Sequence, residues 1–230
     1  MFEGRFHTDK DALFGASWQI QQSTLAPEVA RAMAQAFAQR QRKRRAVVGS
    51  SDWKTLVRCL REVCSAIQDN VAAGHSFLLG PQPTVADFAL FGQMRLIATD
   101  PLPAPIVQEY PGAWGWVWRM EDLSGHHSEG APEMTDGARR MLKLAAQTYL
   151  PFLRANAQAL EAGRNEVRVA IFGGDATHVQ PPFKYQQRCL RDLEAQYAAL
   201  GGSARAAVDK LLADAGAPPA SFQPSHGARL

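Results

Sequence analysis

Residues 77–92 read FLLGPQPTVADFALFG, and this stretch decides the fold. Thr84 and Asp87 stand three positions apart, immediately before an apolar run. A hydroxyl and a carboxylate at this spacing can each accept the backbone N–H of the other residue, which caps the first turn of a helix. The apolar residues that follow Asp87 come with few charges. The sequence therefore predicts a helix that starts at Thr84 and is buried against several neighbours.

Helical periodicity continues on both sides of this stretch. Apolar residues recur every three to four positions over six further segments, which are predicted helices: 27–45, a helix capped by Ser51 or Asp52 that ends near 74, 111 or 112 to 123, 138–162, 183–200 and 204–215. Pro151 is a candidate kink, and the Pro-rich stretch 101–105 is predicted to be a loop. The period changes to two near 167–180, where Gly173, Gly174 and Asp175 supply a turn, so a small β-hairpin is expected there.

These elements predict an all-α fold, a bundle of six to eight helices around the helix that starts at Thr84, with one hairpin. We expect residues 1–125 to form the helical core and 126–137 a flexible loop. Residues 138–215 would add helices and the hairpin to the same core. Residues 216–230, rich in Pro, Ala, Ser and Gly, are expected to be a frayed tail.

Composition excludes several classes of protein. The 230 residues are enough for one large domain or two small ones, and the formal net charge of +3 argues against a disordered acidic chain. No apolar run approaches the roughly 18 residues of a membrane span, and the N-terminus lacks the apolar core of a secretory signal. The three cysteines, Cys59, Cys64 and Cys189, form no CxxC motif. We therefore expect a cytoplasmic protein without a disulfide framework or a membrane partner.

The phrase at 77–93, followed by Asp100-Pro101 and by residues 118–125, resembles the C-terminal helical domain of glutathione transferases. In that family a phrase of the form F-L-x-G-x-x-P-[ST]-x-A-D-F introduces the central helix, and Thr84 and Asp87 match its capping box. Less specific likeness extends over residues 1–215 and suggests a long bacterial-type subgroup with extra C-terminal helices. The resemblance implies a glutathione transferase C-terminal-like helical bundle.

The resemblance also implies a limit on the chemistry. Family members carry their thiol-activating residue and glutathione contacts in a thioredoxin-like half that precedes the helical domain. Here helical pattern begins near Asp9 and no strand-helix-strand pattern precedes the phrase. That half is therefore expected to be absent, no catalytic residue carries over, and glutathione is expected as a ligand only if a thioredoxin-like half is supplied.

In the family the first helix and the segment after it form the wall for the hydrophobic second substrate. By position this implies Phe14, Trp18, Met33 and Phe37 as substrate-binding residues. Aromatic side chains at this spacing are also typical of a core, so both interpretations stand. Thr84 and Asp87 are interpreted as a structural capping box and not as catalytic groups.

Other candidate sites have simpler structural explanations. His126 and His127, with Glu129 nearby, could begin a metal or acid-base site, but a solvent-exposed loop explains them and no metal is expected. Cys59 and Cys64 are interpreted as small core residues. Residues 31–63 contain nine basic and two acidic residues, a local excess of +7. The cationic run at 40–45 lacks interleaved aromatic residues, so a solvated helix end is expected and nucleic acid is not the expected partner.

Three functions remain open. The first is the hydrophobic-substrate-binding domain of a glutathione transferase-like protein, with little or no conjugating activity of its own. The second is a non-catalytic interaction or assembly module of the same fold, and the third is a nucleic-acid binder that rests only on residues 40–45. The partners considered are a second copy of the chain, a thioredoxin-like domain and a hydrophobic small molecule.

Overall fold

Helices make up nearly all of the regular structure in the computed structural model, which describes residues 25–43, 53–127 and 130–217. The other regular element in these ranges is one two-stranded antiparallel sheet, so the predicted all-α class with a small hairpin is confirmed. The chain divides into two compact units, with the boundary after Ala138. No helix in the described ranges is long and apolar enough to cross a bilayer.

Unit 1 contains five helices in its described part. They are α1 (Pro27–Lys43), α2 (Trp53–Ala72), α3 (Val85–Thr99), α4 (Ala104–Gln108) and α5 (Pro111–Glu121). Helix α2 packs against α4 and α5, and α3 packs against the same two helices. Ile67, Met94 and Trp116, one from each of α2, α3 and α5, are almost fully buried. Unit 1 therefore has its core among these helices.

A close approach and an ion pair fix α2 against its neighbours. A Cβ placed on Gly112 would lie 3.0 Å from the Cα of Gln68, so the absence of a side chain at Gly112 allows α5 to approach α2. Arg61 of α2 forms a bidentate ion pair with Glu109, and its Nη2 lies 2.9 Å from Glu109 Oε1. Hydrogen bonding from Arg61 lowers the pKa of the Glu109 carboxyl.

Helix α3 is less buried than predicted. It buries Asp87, Met94 and Ala98, but Val85 is 85% exposed and Phe88 is 53% exposed. The expectation that this helix is enclosed by several neighbours is wrong in this chain, because α4 and α5 cover only part of its surface. In the part of the chain that the structure describes, an apolar face of α3 is therefore exposed.

The Pro-rich stretch 101–105 is also not entirely a loop. Helix α4 begins at Ala104, with Pro103 at its N-cap and Pro105 within its first turn. Proline is compatible with this position because the first helical N–H groups have no intrahelical partner. The predicted loop therefore ends two residues earlier than expected.

Unit 2 begins within a helix and continues through the hairpin to two final helices. Its elements are α6 (Asp136–Gln147, which starts at the end of unit 1), α7 (Tyr149–Glu161), β1 (Val167–Ile171), β2 (Ala176–Gln180), α8 (Lys184–Ala198) and α9 (Gly202–Asp214). Helix α7 packs against α8 and β1. Leu150, Leu153, Leu190 and Leu212 belong to the buried cluster of this unit.

The single helix predicted over 138–162 is two helices. The break lies at Thr148, three residues before Pro151, and the Thr148 hydroxyl donates to the carbonyl of Leu144 at 2.6 Å. Pro151 has no N–H to offer the carbonyl four residues earlier, which explains a break at this point.

The hairpin lies where the period-two pattern placed it. Val167 pairs with Gln180 and Ile171 pairs with Ala176. A short 3₁₀ turn at Phe172–Gly174 joins the strands, and Gly173 and Gly174 adopt φ values of 71° and 107°. Glycine is favoured at both positions because residues with a Cβ rarely adopt positive φ.

Candidate functional site

The capping box at Thr84 and Asp87 is formed at the start of α3. One carboxylate oxygen, Asp87 Oδ2, accepts the backbone N–H of Thr84 at 3.0 Å and the Thr84 hydroxyl at 2.8 Å. The other, Oδ1, accepts the backbone N–H of Leu78 at 2.7 Å. Asp87 is fully buried. Its carboxylate therefore uses both oxygens to join the helix start to the preceding loop.

The loop around Phe77 to Gly80 is fixed by further hydrogen bonds. Phe77 and Gly80 exchange backbone hydrogen bonds at 3.1 and 3.2 Å. The Asn70 side chain donates to the carbonyl of Phe77 at 2.8 Å, and the Thr135 hydroxyl donates to the carbonyl of Leu78 at 2.6 Å. All these groups act on backbone, so the geometry around Asp87 indicates a structural role.

The exposed side of α1 carries the two described residues that were predicted to contact substrate. Leu25, just before α1, and Val29 and Met33 of α1 recur every four residues and are between 42% and 49% exposed. We call these three residues the α1 stripe. Phe37 continues the series but is only half-buried, and the Arg40 guanidinium lies 5.1 Å from its ring centroid. Each step of four residues advances about 40° beyond a full helical turn, so the series winds gradually around the helix.

A line of mostly small side chains, about 100° around α1 from Val29 and Met33, is buried. Ala30, Ala34, Ala38 and Gln41 are all buried, although three of them have the smallest chiral side chain. The helical period therefore places the alanines on the buried side of α1 and the larger apolar side chains of the stripe on the side that faces solvent. Phe14 and Trp18, the other two predicted substrate-binding residues, lie outside the described residues.

The cysteines of α2 are not suited to nucleophilic chemistry. Burial raises the pKa of the Cys64 thiol to about 12. Burial also raises the pKa of Cys59, with Arg58 acting in the opposite direction. Because the thiolate is the reactive form, both side chains are thiols at neutral pH. This supports their interpretation as small core residues.

The histidines contact different partners. The ring of His126 packs edge-on against Phe77 with centroids 5.1 Å apart, His75 Nδ1 lies 3.4 Å from Glu133 Oε1, and His127 is exposed. Within the described ranges, no group of three or more His, Cys, Asp or Glu side chains could hold a metal ion. In the cationic run at 40–45, the structure describes one cationic side chain, that of Arg40, and it is exposed.

Sequence reasoning missed the roles of two residues at the start of α6, Thr135 and Gly137. Thr135 accepts the backbone N–H of Ala138 at 3.1 Å and so caps α6. A Cβ on Gly137 would lie 2.7 Å from the Cβ of Asn70 and 2.8 Å from the carbonyl oxygen of Ala66. The T-D-G-A sequence contains a capping threonine, but its glycine-rich surroundings favoured a loop. Position 137 requires glycine because Asn70 lies against it, and Asn70 is 67 residues away in the sequence.

Part of the chain matches the model of a known family. Residues 27–118 match the family model described as "Glutathione S-transferase, C-terminal domain". This match begins at the first residue of α1 and ends within α5. No significant match is found among curated proteins or among solved structures.

Proposed function

Residues 27–118 belong to the glutathione S-transferase C-terminal domain family, and we propose from this that the chain binds the hydrophobic co-substrate of a transferase-like protein. The observation that carries the proposal is the α1 stripe. Its Val29 and Met33 lie on the first helix of the matched segment, Leu25 lies just before that helix, and all three side chains are exposed to solvent. Apolar side chains in a row along one helix give a surface on which an aryl or alkyl group can lose its hydration.

Conjugation by this chain requires a partner that activates the glutathione thiol. An unperturbed thiol has a pKa of about 8.5, so a transferase must stabilise the thiolate at neutral pH with a hydroxyl or a cation. The α2 cysteines offer no substitute nucleophile, since burial raises the pKa of both Cys59 and Cys64. We therefore propose little or no turnover by the chain alone and activity when a thioredoxin-like domain is supplied.

The binding step can be tested with chlorodinitrobenzene, a neutral aryl halide. Amide chemical shifts recorded during titration should change along α1. Met33→Gln and Phe37→Gln should each weaken binding, because a polar amide makes the contact surface less favourable to desolvate. Leu96→Gln is the matched control: it removes an exposed apolar side chain from α3 and should leave the affinity unchanged. Shifts confined to other elements would exclude the α1 stripe as the site.

The requirement for a partner is tested separately by turnover. Glutathione and chlorodinitrobenzene are incubated with the chain alone and with an added thioredoxin-like domain. Formation of the thioether above the buffer rate by the chain alone would contradict the proposed division of labour, whatever the binding titration shows.

A second candidate function is an assembly module, and the open face of α3 favours it. Val85, Phe88 and Leu96 are each more than half exposed and lie on one helix. Large apolar side chains grouped in this way are typical of protein contact surfaces. Under this function the occupant is a second copy of the chain, and no thiol chemistry is needed.

The assembly function predicts a dimer in light scattering after size-exclusion chromatography. Phe88→Glu should give a monomer, because a buried unpaired charge opposes association. Gln93→Glu introduces the same charge at an exposed position of α3 that is turned away from Phe88, and it should leave the dimer intact. A wild-type chain that is monomeric at high concentration would remove this candidate.

A further inference from the structure

A cavity of about 210 Å³ lies within unit 2, between the first two turns of α6 and the last turn of α9. Its apolar lining comes from Leu142 of α6, from Leu211 of α9 and from Ala215, which directly follows α9. Ala215 belongs to the buried cluster of unit 2, and Leu142 packs against that cluster. The cavity therefore opens onto the edge of a hydrophobic core, where an apolar group could be buried.

Cationic side chains also line this cavity. Arg139, Arg140 and Lys143 all come from α6, and Arg139 and Lys143 are four residues apart on one face. One acidic residue, Asp214, lines the cavity with them. Its Oδ2 already accepts a hydrogen bond from Lys210 Nζ at 2.7 Å. The charge around the cavity is therefore positive, and an anion placed there would gain attraction.

The C-terminal carbonyls of a helix carry partial negative charge and repel an anion, but at the end of α9 some of these carbonyls are hydrogen-bonded. Gly216 adopts a φ of 82°, and its N–H donates to the carbonyl of Ala213 at 3.0 Å. The N–H of Ala217 donates to the carbonyl of Leu212 at 2.8 Å. These two bonds form a Schellman motif, which satisfies carbonyls that would otherwise face solvent.

We propose that this cavity binds a small organic carboxylate with an apolar body, such as an aryl carboxylate. The apolar group would lie against Leu142, Leu211 and Ala215, and the carboxylate would face Arg139 and Lys143. The size is suitable, because an apolar cavity of about 150 Å³ holds a benzene ring. The site lies outside residues 27–118 and uses no residue of the α1 stripe, so it goes beyond the proposed co-substrate site.

Three probes of different chemistry test the proposal on the full chain by titration followed with amide chemical shifts. Benzoate carries both the ring and the charge, benzyl alcohol keeps the ring without the charge, and acetate keeps the charge without the ring. Benzoate should shift amides of α6 and of the end of α9 and bind about tenfold more tightly than either of the others, since both contributions are needed. Equal affinity for benzoate and acetate, or for benzoate and benzyl alcohol, would overturn it, as would no benzoate binding.

A matched pair of double variants separates this site from general charge attraction. Arg139→Gln with Lys143→Gln should weaken benzoate binding about tenfold. Both side chains are exposed, so the substitutions leave the core intact. Lys184→Gln with Arg188→Gln removes the same two residue types at the same spacing from α8 and should change the affinity less than twofold. Equal weakening by the two double variants would show that benzoate responds only to net charge, and the proposal would be wrong.

Discussion

Asp87 is a buried carboxylate whose contacts are all structural. It accepts hydrogen bonds from two backbone N–H groups, those of Leu78 and Thr84, and one from the Thr84 hydroxyl. A helix cap is worth about 0.5–2 kcal/mol on its own. The bond to Leu78 adds to this, because it lies outside the helix and fixes a buried loop.

Substitution of Asp87 should therefore cost more than loss of a simple cap. We expect Asp87→Ala to lower the free energy of unfolding by about 3 kcal/mol, since it leaves two backbone donors without partners. Thr84→Ala should cost about 1 kcal/mol, because the carboxylate still accepts both N–H groups. Urea unfolding followed by tryptophan fluorescence measures both values. Equal losses in the two variants would mean that the bond to Leu78 contributes nothing.

Gly137, in the first turn of α6, lies close to Asn70 of α2, and both residues belong to unit 1. Alanine is intrinsically favoured over glycine within a helix by up to about 1 kcal/mol. At Gly137, however, the new Cβ would meet the Cβ of Asn70 at 2.7 Å. Overpacking of this kind costs about 1–3 kcal/mol, which exceeds the gain in helix propensity. Gly137→Ala should therefore destabilise unit 1.

Gly115 provides the opposite case. It is exposed within α5, and a Cβ there would meet no atom within 4 Å. Gly115→Ala should therefore stabilise by up to about 1 kcal/mol. Thermal unfolding of the two variants should shift in opposite directions, and a stabilising effect at Gly137 would contradict the close contact between Gly137 and Asn70.

The hairpin contacts α7 through His178, a histidine whose pKa is lowered by burial. The ring of His178 packs edge-on against Phe152 with centroids 5.1 Å apart, and its Nε2 lies 2.9 Å from Gln180 Oε1. Burial lowers the pKa of His178 below 6.5, and the Gln180 hydrogen bond partly opposes this shift. On acidification below pH 6.5 the unfolded chain takes up a proton before the folded chain does, so stability falls as the pH falls.

An NMR titration of His178 tests both causes. Phe152→Ala should raise its pKa towards 6.5 by admitting water, whereas Gln180→Met should lower it further by removing the hydrogen bond. His178→Gln should reduce the loss of stability between pH 6.5 and more acidic values. Shifts of the same sign in the first two variants would contradict these assignments.

Sequence reasoning succeeded at this scale wherever the determining groups are local. The capping box of α3 and the hairpin turn at Gly173 and Gly174 each depend on residues a few positions apart. The exposed face of α3 could not be predicted, because periodicity identifies Phe88 as apolar but does not reveal whether another element covers it. Gly137 was missed for a related reason, since its partners on α2 are distant in sequence. The α1 stripe was predicted only in part, through Met33 and Phe37.

The division into two units has an experimental advantage. All five tryptophans, at positions 18, 53, 114, 116 and 118, precede the boundary after Ala138. Tryptophan fluorescence therefore reports on unit 1, whereas far-UV circular dichroism records the helices of both units. For a substitution in the core of unit 2, circular dichroism should detect the change in stability, and tryptophan fluorescence shows whether unit 1 is affected as well.

Asn156 is suited to this comparison because it joins two helices of unit 2. Its side-chain nitrogen donates to the carbonyl of Phe183 at 3.0 Å, and its side-chain oxygen accepts the N–H of Phe183 at 2.8 Å. Asn156→Ala leaves both backbone groups without these partners, which should cost unit 2 about 2–4 kcal/mol. The circular dichroism transition should move to lower urea while the fluorescence transition keeps its midpoint. Gln158→Ala, at an exposed position of α7, should move neither, and equal shifts of both probes in Asn156→Ala would show that the two units unfold as one.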